Sequence, residues 1–434
     1  MIINFSVENW RSFKNKASLS MLATREKQHK HRVPYISKYG INILPIASVY
    51  GGNASGKSNF FQALDTLKLI IVEGIEPKNA IPIEPFFLDS GYTNKATSFE
   101  IEMLIDEVIY KYCVSATRKE ILEEKLIEVS SEAEFIVYER NNQIIKLGDD
   151  KFRNERLKLI IDGNMTRRNQ TFLNLAINLN FEPFFNIWNF FNKITVISPH
   201  SKYLATENLL EERSNKSINN MLSKLDTGIS RIGGENIDIN SLSLSSEGRE
   251  AVSNLSEGEL LRIGRIIIKR KDGNLVAQRL VSYHRRTDNS EVYFGLDMES
   301  DGSQRALDIL PAIVDLQYCD KIFVIDEIDR SLHTTLTGTF IEEYLNNCSE
   351  NKRAQLLMTT HDTQLMTQDI FRRDEIWFTE RQNDGSSDLF SLAEFDIRAD
   401  LDIRKNYLQG RFGGIPNIAM YHRCKKEASS SEEI

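Results

Sequence analysis

The sequence predicts an α/β fold, and three stretches carry that expectation. An apolar run at 41–50 (INILPIASVY) feeds directly into a glycine-rich turn and then a segment with helical periodicity. Two further apolar runs, 321–326 (KIFVID) and 354–359 (AQLLMT), each end in polar residues and are separated by one helix's worth of chain. Short apolar strands alternating with helices are the signature of a mainly parallel sheet.

The elements follow in order. Residues 2–7 (IINFSV) read as a strand, and Ser58 to Glu73 as a helix closed by Gly74. Residues 98–105 and 107–115 alternate in polarity and read as paired strands. From about 119 to 195 the text is charged and studded with Leu, Ile and Phe, which predicts a mainly helical insertion with a short strand pair near 134–146. The Ser-, Asn- and Gly-rich 230–262 predicts loops and a partly mobile helix. Strands are expected at 277–284 and 291–297, helices from about 302 and near 332–347, and a disordered polar tail at the end.

With 434 residues there is ample chain for a large core. The formal net charge of −8 means that any nucleic-acid contact needs a local basic patch, such as Arg25–Arg32 or Lys269–Lys271. Cysteines stand at 113, 319, 348 and 424, with no C-x-x-C spacing, which argues against zinc and a disulfide framework and for a reducing cytoplasm. The opening MIINFSVENWRSF lacks the apolar core of a signal peptide, and no run of about 18 apolar residues predicts a membrane span.

Four stretches carry chemistry. GGNASGKS at 51–58 satisfies G-x-x-x-x-G-K-[ST]. Its glycines let successive N–H groups turn toward phosphate oxygens at a helix N-terminus. Gly51, Asn53, Ala54, Ser55, Gly56, Lys57, Ser58 and Asn59 form the expected nucleotide cradle, with Lys57 reaching the β- and γ-phosphates of ATP and Ser58 holding Mg²⁺. IFVIDE at 322–327 ends a strand in two acids: Asp326 to hold Mg²⁺, Glu327 to orient and deprotonate an attacking water. LMTTHD at 357–362 ends another strand near His361, 34 residues after Glu327, placed to hydrogen-bond the γ-phosphate.

The fourth stretch has two candidates, LSEGE at 255–259 and ESDGSQR at 299–305. A helix start that leads straight into the Asp326 strand is required, and Ser300 lies 26 residues before Asp326 whereas Ser256 lies 70 before it. Ser300 and Gly302 are therefore assigned to the γ-phosphate of a nucleotide held mainly by a second subunit, and LSEGE is expected to start a surface helix.

Together NWRSF (9–13), GGNASGKS, ESDGSQR, VIDEIDRSLH (324–333), TTHD (359–362) and YLQGRFGGIP (407–416) resemble the ABC-type ATPases of the SMC, RecF and OLD group, and more closely the compact ATPases of prokaryotic anti-phage operons, including the PARIS-type ATPase subunit. The resemblance covers about 1–118 and 286–418. It implies a two-lobed ABC ATPase head whose lobes are 1–118 and 286–420, an insertion for interaction or sensing at 119–285, and a tail at 421–434. It also implies Asp329 as the acid that communicates across a head-to-head homodimer or larger oligomer. The family's Q-loop glutamine has no clear counterpart.

A Toprim nuclease domain, which OLD nucleases carry, is not expected in this length, so the resemblance implies a separate effector such as a Toprim nuclease, released when a phage-encoded protein acts as trigger. The competing reading is a DNA-repair or chromosome-maintenance ATPase that clamps DNA; the short insertion leaves no room for a long coiled-coil arm, while the basic clusters keep DNA open as a ligand. A transporter ATPase subunit and an ATP-operated latch with little turnover are the remaining alternatives.

Overall fold

The computed structural model describes residues 1–130, 132–148, 155–163, 165–199, 212–223, 225, 227–263, 266–396 and 401–414. The expected tail at 421–434 and the last two residues of YLQGRFGGIP lie outside them.

Along the chain run β1 (Ile2–Glu8), β2 (Ala17–Ser20), β3 (Tyr35–Ile36), β4 (Ile41–Asn42), β5 (Ile46–Gly51) and α1 (Lys57–Val72). Next come β6 (Thr97–Ile105), β7 (Val108–Ala116), β8 (Ile121–Val129), β9 (Glu134–Asn141), β10 (Ile144–Leu147), α2 (Glu155–Asp162), α3 (Phe172–Asn178), α4 (Phe185–Asn192) and β11 (Ile194–Ile197). The middle continues with α5 (Glu212–Leu222), β12 (Arg231–Ile237), α6 (Ser246–Ser253), β13 (Leu260–Ile263), β14 (Ile266–Lys271), β15 (Asn274–Arg285) and β16 (Glu291–Gly295). The last third holds α7 (Asp301–Tyr318), β17 (Ile322–Ile325), α8 (Thr334–Leu345), β18 (Gln355–Thr359), β19 (Ile376–Arg381), β20 (Ser387–Ser391) and α9 (Ile403–Leu408).

These elements divide into two compact units. The first comprises 1–196, 321–327 and 348–434 and contains two large sheets and the small β3–β4 ribbon. One is antiparallel, in the order β10-β9-β8-β7-β6-β1-β2; the other runs β11-β17-β18-β5-β19-β20, with β17, β18, β5 and β19 mutually parallel. Helix α1 packs on both: Phe60 meets Phe5 of β1 edge-to-face at 5.3 Å and Phe13 at 5.8 Å, and its apolar face joins Val49, Val324 and Leu357 in one core. The two sheets are also joined through one amide. Gln355, wholly buried, accepts from the Ile2 N–H at 2.5 Å and donates to the Ile2 and Leu44 carbonyls at 2.9 and 3.1 Å.

The insertion is not mainly helical, and this corrects the sequence expectation. Strand β8 (ILEEKLIEV) extends the first sheet, pairing with β7 from Ile109↔Val129 to Ala116↔Ile121, so a boundary at 118 cuts through a sheet. The charges that disguised it include Glu124, which is buried and accepts from the Tyr112 and Tyr138 hydroxyls at 3.0 and 2.7 Å and from the Phe172 and Leu173 N–H groups at 2.6 and 3.1 Å. A carboxylate satisfied by four donors, with Arg140 at 3.7 Å, can sit where the pattern would place an apolar residue. The strand pair expected near 134–146 is β9 and β10.

The second unit comprises 197–320 and 328–347. Its sheet runs β12-β15-β14-β13 with β16 also paired to β15, so 230–263 contributes two strands where loops were expected. Helices α7 and α8 pack on each other in this unit. Pro311 lies within α7. Among the described residues no helix is long and apolar enough to cross a membrane.

Candidate functional site

Strand β5 ends at Gly51, and the chain turns through residues 52–56 into α1. Two glycines make the turn possible. A Cβ on Gly51 would lie 2.4 Å from Thr379 Oγ1 and 2.5 Å from the Thr379 carbonyl oxygen; Gly56 takes φ 108, a region closed to ordinary side chains. Ala54 adopts φ 60 between them. The curl leaves the loop's N–H groups at the N-terminus of α1, where the helix dipole favours an anion. Lys57, buried in the loop, donates to the carbonyls of Gly51 at 2.8 Å and Gly52 at 3.0 Å.

The loop is braced from outside by NWRSF, known so far only as part of a resemblance, and by Thr379 and Ser387, which sequence reasoning did not single out. Ser55 and Thr379 share a hydroxyl hydrogen bond at 2.6 Å. Asn59 donates to Ser12 Oγ at 2.9 Å while its carbonyl accepts from the Trp10 indole at 2.7 Å, so NWRSF is a clasp on the first turn of α1. Ser387, whose N–H donates to the Ser12 carbonyl, places its hydroxyl 2.7 Å from where a Gly56 Cβ would stand. The turn of this clasp holds Asn9 and Arg11 at positive φ, a conformation that no sequence pattern displays.

Strand order then gathers the other motifs. β18 lies between β5 and β17, with Val49 opposite Thr359 and Met358 opposite Ile325. All three strands run parallel, so the phosphate loop, the Asp326–Glu327 pair and His361 all leave the same edge of the sheet. Asp326 is buried and accepts from the Thr359 hydroxyl at 2.6 Å. Glu327 is half-buried, adopts φ 50, and donates its N–H to the same hydroxyl at 2.7 Å. His361 is exposed at the end of β18.

Ser300, Gly302 and Asp329 belong to the second unit. Ser300 is the N-cap of α7, its hydroxyl accepting from the Ser303 N–H at 3.1 Å, and α7 leads into β17 as the spacing required. Glu299, just before it, accepts from His284 Nε2 at 2.7 Å and from the Ser282 hydroxyl at 2.5 Å, tying the helix start to β15. A Cβ on Gly302 would fall 2.7 Å from the Ser331 carbonyl oxygen, so α7 begins against the turn that follows Asp329.

LSEGE does not start a helix, contrary to expectation. It lies between α6 and β13, where Glu257 accepts from the Asp272 and Gly273 N–H groups at 2.6 and 3.2 Å, latching onto the β14–β15 turn. The basic clusters are also partly spent on structure. Arg270 donates to the Leu255 carbonyl at 2.7 Å; Arg32 is buried against Glu375 at 2.5 Å, and Gln28 and His29 both bind the Gln368 carbonyl.

A family model described as "AAA domain, putative AbiEii toxin, Type IV TA system" matches residues 46–367, which run from the phosphate-loop strand past His361. The chain belongs to this AAA-domain family. Among solved structures, this AAA-domain chain is similar to the SMC head domain from Thermotoga maritima, at 14% identity over 90% of this chain and 98% of that one, with a TM-score of 0.38. It is similar as well to an Smc head bound to the C-terminal winged-helix domain of ScpA (11%, 90% and 97%, TM-score 0.38), and to an Smc head with extended coiled coil bound to the ScpA C-terminal domain from Pyrococcus furiosus (10%, 90% and 96%, TM-score 0.36). No curated protein matches the chain.

The AAA-domain chain thus carries a phosphate loop at the end of a parallel sheet strand, and its residues fit the nucleotide and metal that such a loop takes. The cradle is one that a Cβ at Gly51 or Gly56 would fill, and the donors offered to a metal, the Ser58 hydroxyl and the Asp326 carboxylate, are hard oxygens suited to Mg²⁺. Among the described residues no cluster of three or more His, Cys, Asp or Glu makes an all-protein metal site. Mg²⁺ in nucleotide sites binds through one or two protein oxygens together with substrate phosphates.

Proposed function

We propose that this chain binds and hydrolyses ATP and uses the cycle as a switch in an anti-phage defence system, holding or releasing a separate effector. The observation that carries the ATPase reading is the delivery of the phosphate loop, the acid pair and His361 to one edge by three adjacent parallel strands. Loop N–H groups and Lys57 bind the β- and γ-phosphates, with Gly51, Asn53, Ala54, Ser55, Gly56 and Asn59 shaping the cradle. Ser58 and Asp326 hold Mg²⁺, which when bound neutralises charge on those phosphates. Glu327 orients a water in line with the γ-phosphate and accepts its proton; His361 hydrogen-bonds the γ-phosphate. Ser300, Gly302 and Asp329 complete the site of a second copy in a head-to-head dimer or larger oligomer.

The defence reading is supported by the family description, which names a putative toxin and a toxin–antitoxin system. A Toprim nuclease effector and a phage-encoded trigger, as in PARIS-type systems with their ATPase subunit AriA, fit that reading, and the cytoplasm is the compartment where such a switch would act. The test has two arms. Phosphate release by wild type and Glu327→Gln examines hydrolysis: equal rates overturn it. Phage plating on cells carrying the gene with its genomic neighbours, wild type against Lys57→Ala, examines defence; equal plating by a phage panel overturns it in favour of a DNA-maintenance ATPase.

A further inference from the structure

Thr359 is the last residue of β18 and is wholly buried. A threonine hydroxyl has one hydrogen to give and lone pairs to receive, and this one uses both kinds. It donates to Asp326 Oδ1 at 2.6 Å and accepts the Glu327 N–H at 2.7 Å. Both acids follow β17, whereas Thr359 stands on the neighbouring strand, so one hydroxyl sets the two acids from across the sheet. The backbone gives the arrangement its weight. Glu327 sits at φ 50, a left-handed conformation that residues with a side chain avoid, and the N–H held by Thr359 belongs to that residue.

We infer that Thr359 is a positioning residue for hydrolysis: its single hydroxyl fixes the plane of the metal-facing Asp326 carboxylate and the backbone turn that aims Glu327. The inference rests on the roles proposed above for those two acids. The γ-methyl of Thr359 restricts χ1, so the hydroxyl is aimed before either acid engages. Valine keeps the shape and loses both hydrogen bonds, the one to the Asp326 carboxylate and the one from the Glu327 N–H. Serine keeps both bonds and loses only the methyl.

The experiment compares Thr359→Val and Thr359→Ser in the full chain. Without nucleotide, amide hydrogen exchange of a peptide covering 323–328 should speed up in Thr359→Val and stay near wild type in Thr359→Ser. In steady-state ATPase assays Thr359→Val should lower kcat on the order of a hundredfold, the scale at which misplaced catalytic groups act, while ATP KM stays within about threefold. Thr359→Ser should keep most of kcat.

Unchanged kcat in Thr359→Val overturns the inference and leaves the Glu327 role intact. Equal losses in both variants assign the effect to the methyl and overturn it as well. If Glu327→Gln hydrolyses ATP like wild type, the underlying reading fails, and faster exchange in Thr359→Val then marks the hydroxyl as a purely structural clasp. Should Thr359→Val not fold, Thr359→Ala against Thr359→Ser carries the same comparison, since both lack the methyl and only alanine lacks the hydroxyl.

Discussion

The ammonium of Lys57 donates to the Gly51 carbonyl oxygen at 2.8 Å, so the loop's own lysine ties its first glycine to the start of α1. Lys57→Ala removes that tie and the charge meant for phosphate. Nucleotide affinity should fall on the order of a hundredfold, from about 3 kcal/mol of charge-assisted hydrogen bonding, read by calorimetric titration of ATP. Unchanged affinity would remove the loop from the site.

Glu327→Gln keeps the backbone N–H bond to Thr359 and nearly the same shape while removing the base. ATP should still bind, and turnover should drop about a hundredfold to ten-thousandfold in single-turnover assays. The same variant should accumulate an ATP-bound assembly in size-exclusion with light scattering; a monomer at all ATP concentrations would argue against a composite site.

Gly302 and Ser300 separate packing from recognition. Gly302→Ala places a methyl 2.7 Å from the Ser331 carbonyl oxygen, an overpacking cost of about 1–3 kcal/mol, visible as a lower melting temperature. Ser300 is exposed, so Ser300→Arg loses its N-cap at about 1 kcal/mol yet should fold, bind ATP as a monomer and lose turnover. Normal turnover in Ser300→Arg would take this helix start out of the reaction.

Glu375 gives a pH prediction. Burial pushes its carboxyl up to about 7, against the pull of Arg32, which donates to it at 2.5 Å. Its folded value lies above the unfolded one, so the native state binds the extra proton, and the stability this group contributes is present at low pH and lost as pH rises toward 7. Between pH 5 and 7 wild type should therefore lose melting temperature relative to Glu375→Gln, whose side chain does not titrate. Parallel melting curves for the two proteins would contradict the assignment.

Much of the site was legible because each of its motifs sits on a short apolar strand whose end is chemically marked. Gly51–Ser58 stands out in its own neighbourhood, Asp326–Glu327 and His361 only when read together with it, and parallel pairing puts all three on one edge. Ser300 was reached by chain distance, and it caps the start of α7. What escaped were residues whose role exists only across strands. Thr359 sat in the quoted TTHD, but its hydroxyl acquires meaning from the acids of β17; Thr379 and Ser387 meet the loop from β19 and β20.

The fold was misread where charge entered a sheet. Glu124 breaks the alternation of β8 because four hydrogen bonds replace the water it loses, and no local pattern records partners as distant as Phe172. The basic cluster Lys269–Lys271 closes β14 at the surface, where Lys271 is exposed. The same strand buries Ile267 and Ile268 between β13 and β15, a role that its charged end does not announce.

Gln355 and the parallel sheet around β5 carry a consequence for how the molecule is made. β5 ends at Gly51, yet both of its neighbours, β18 and β19, are encoded some 300 residues later, and the amide that ties Ile2 to the second sheet is at position 355. During synthesis the nucleotide loop therefore emerges with no sheet to support it and waits through most of translation. Contacts of such long sequence separation form slowly and leave apolar strands uncovered in the meantime. A ribosome-bound fragment ending before Gln355 should expose β5 to chaperones and protease, and a competent head can appear only after the last quarter of the chain has been released.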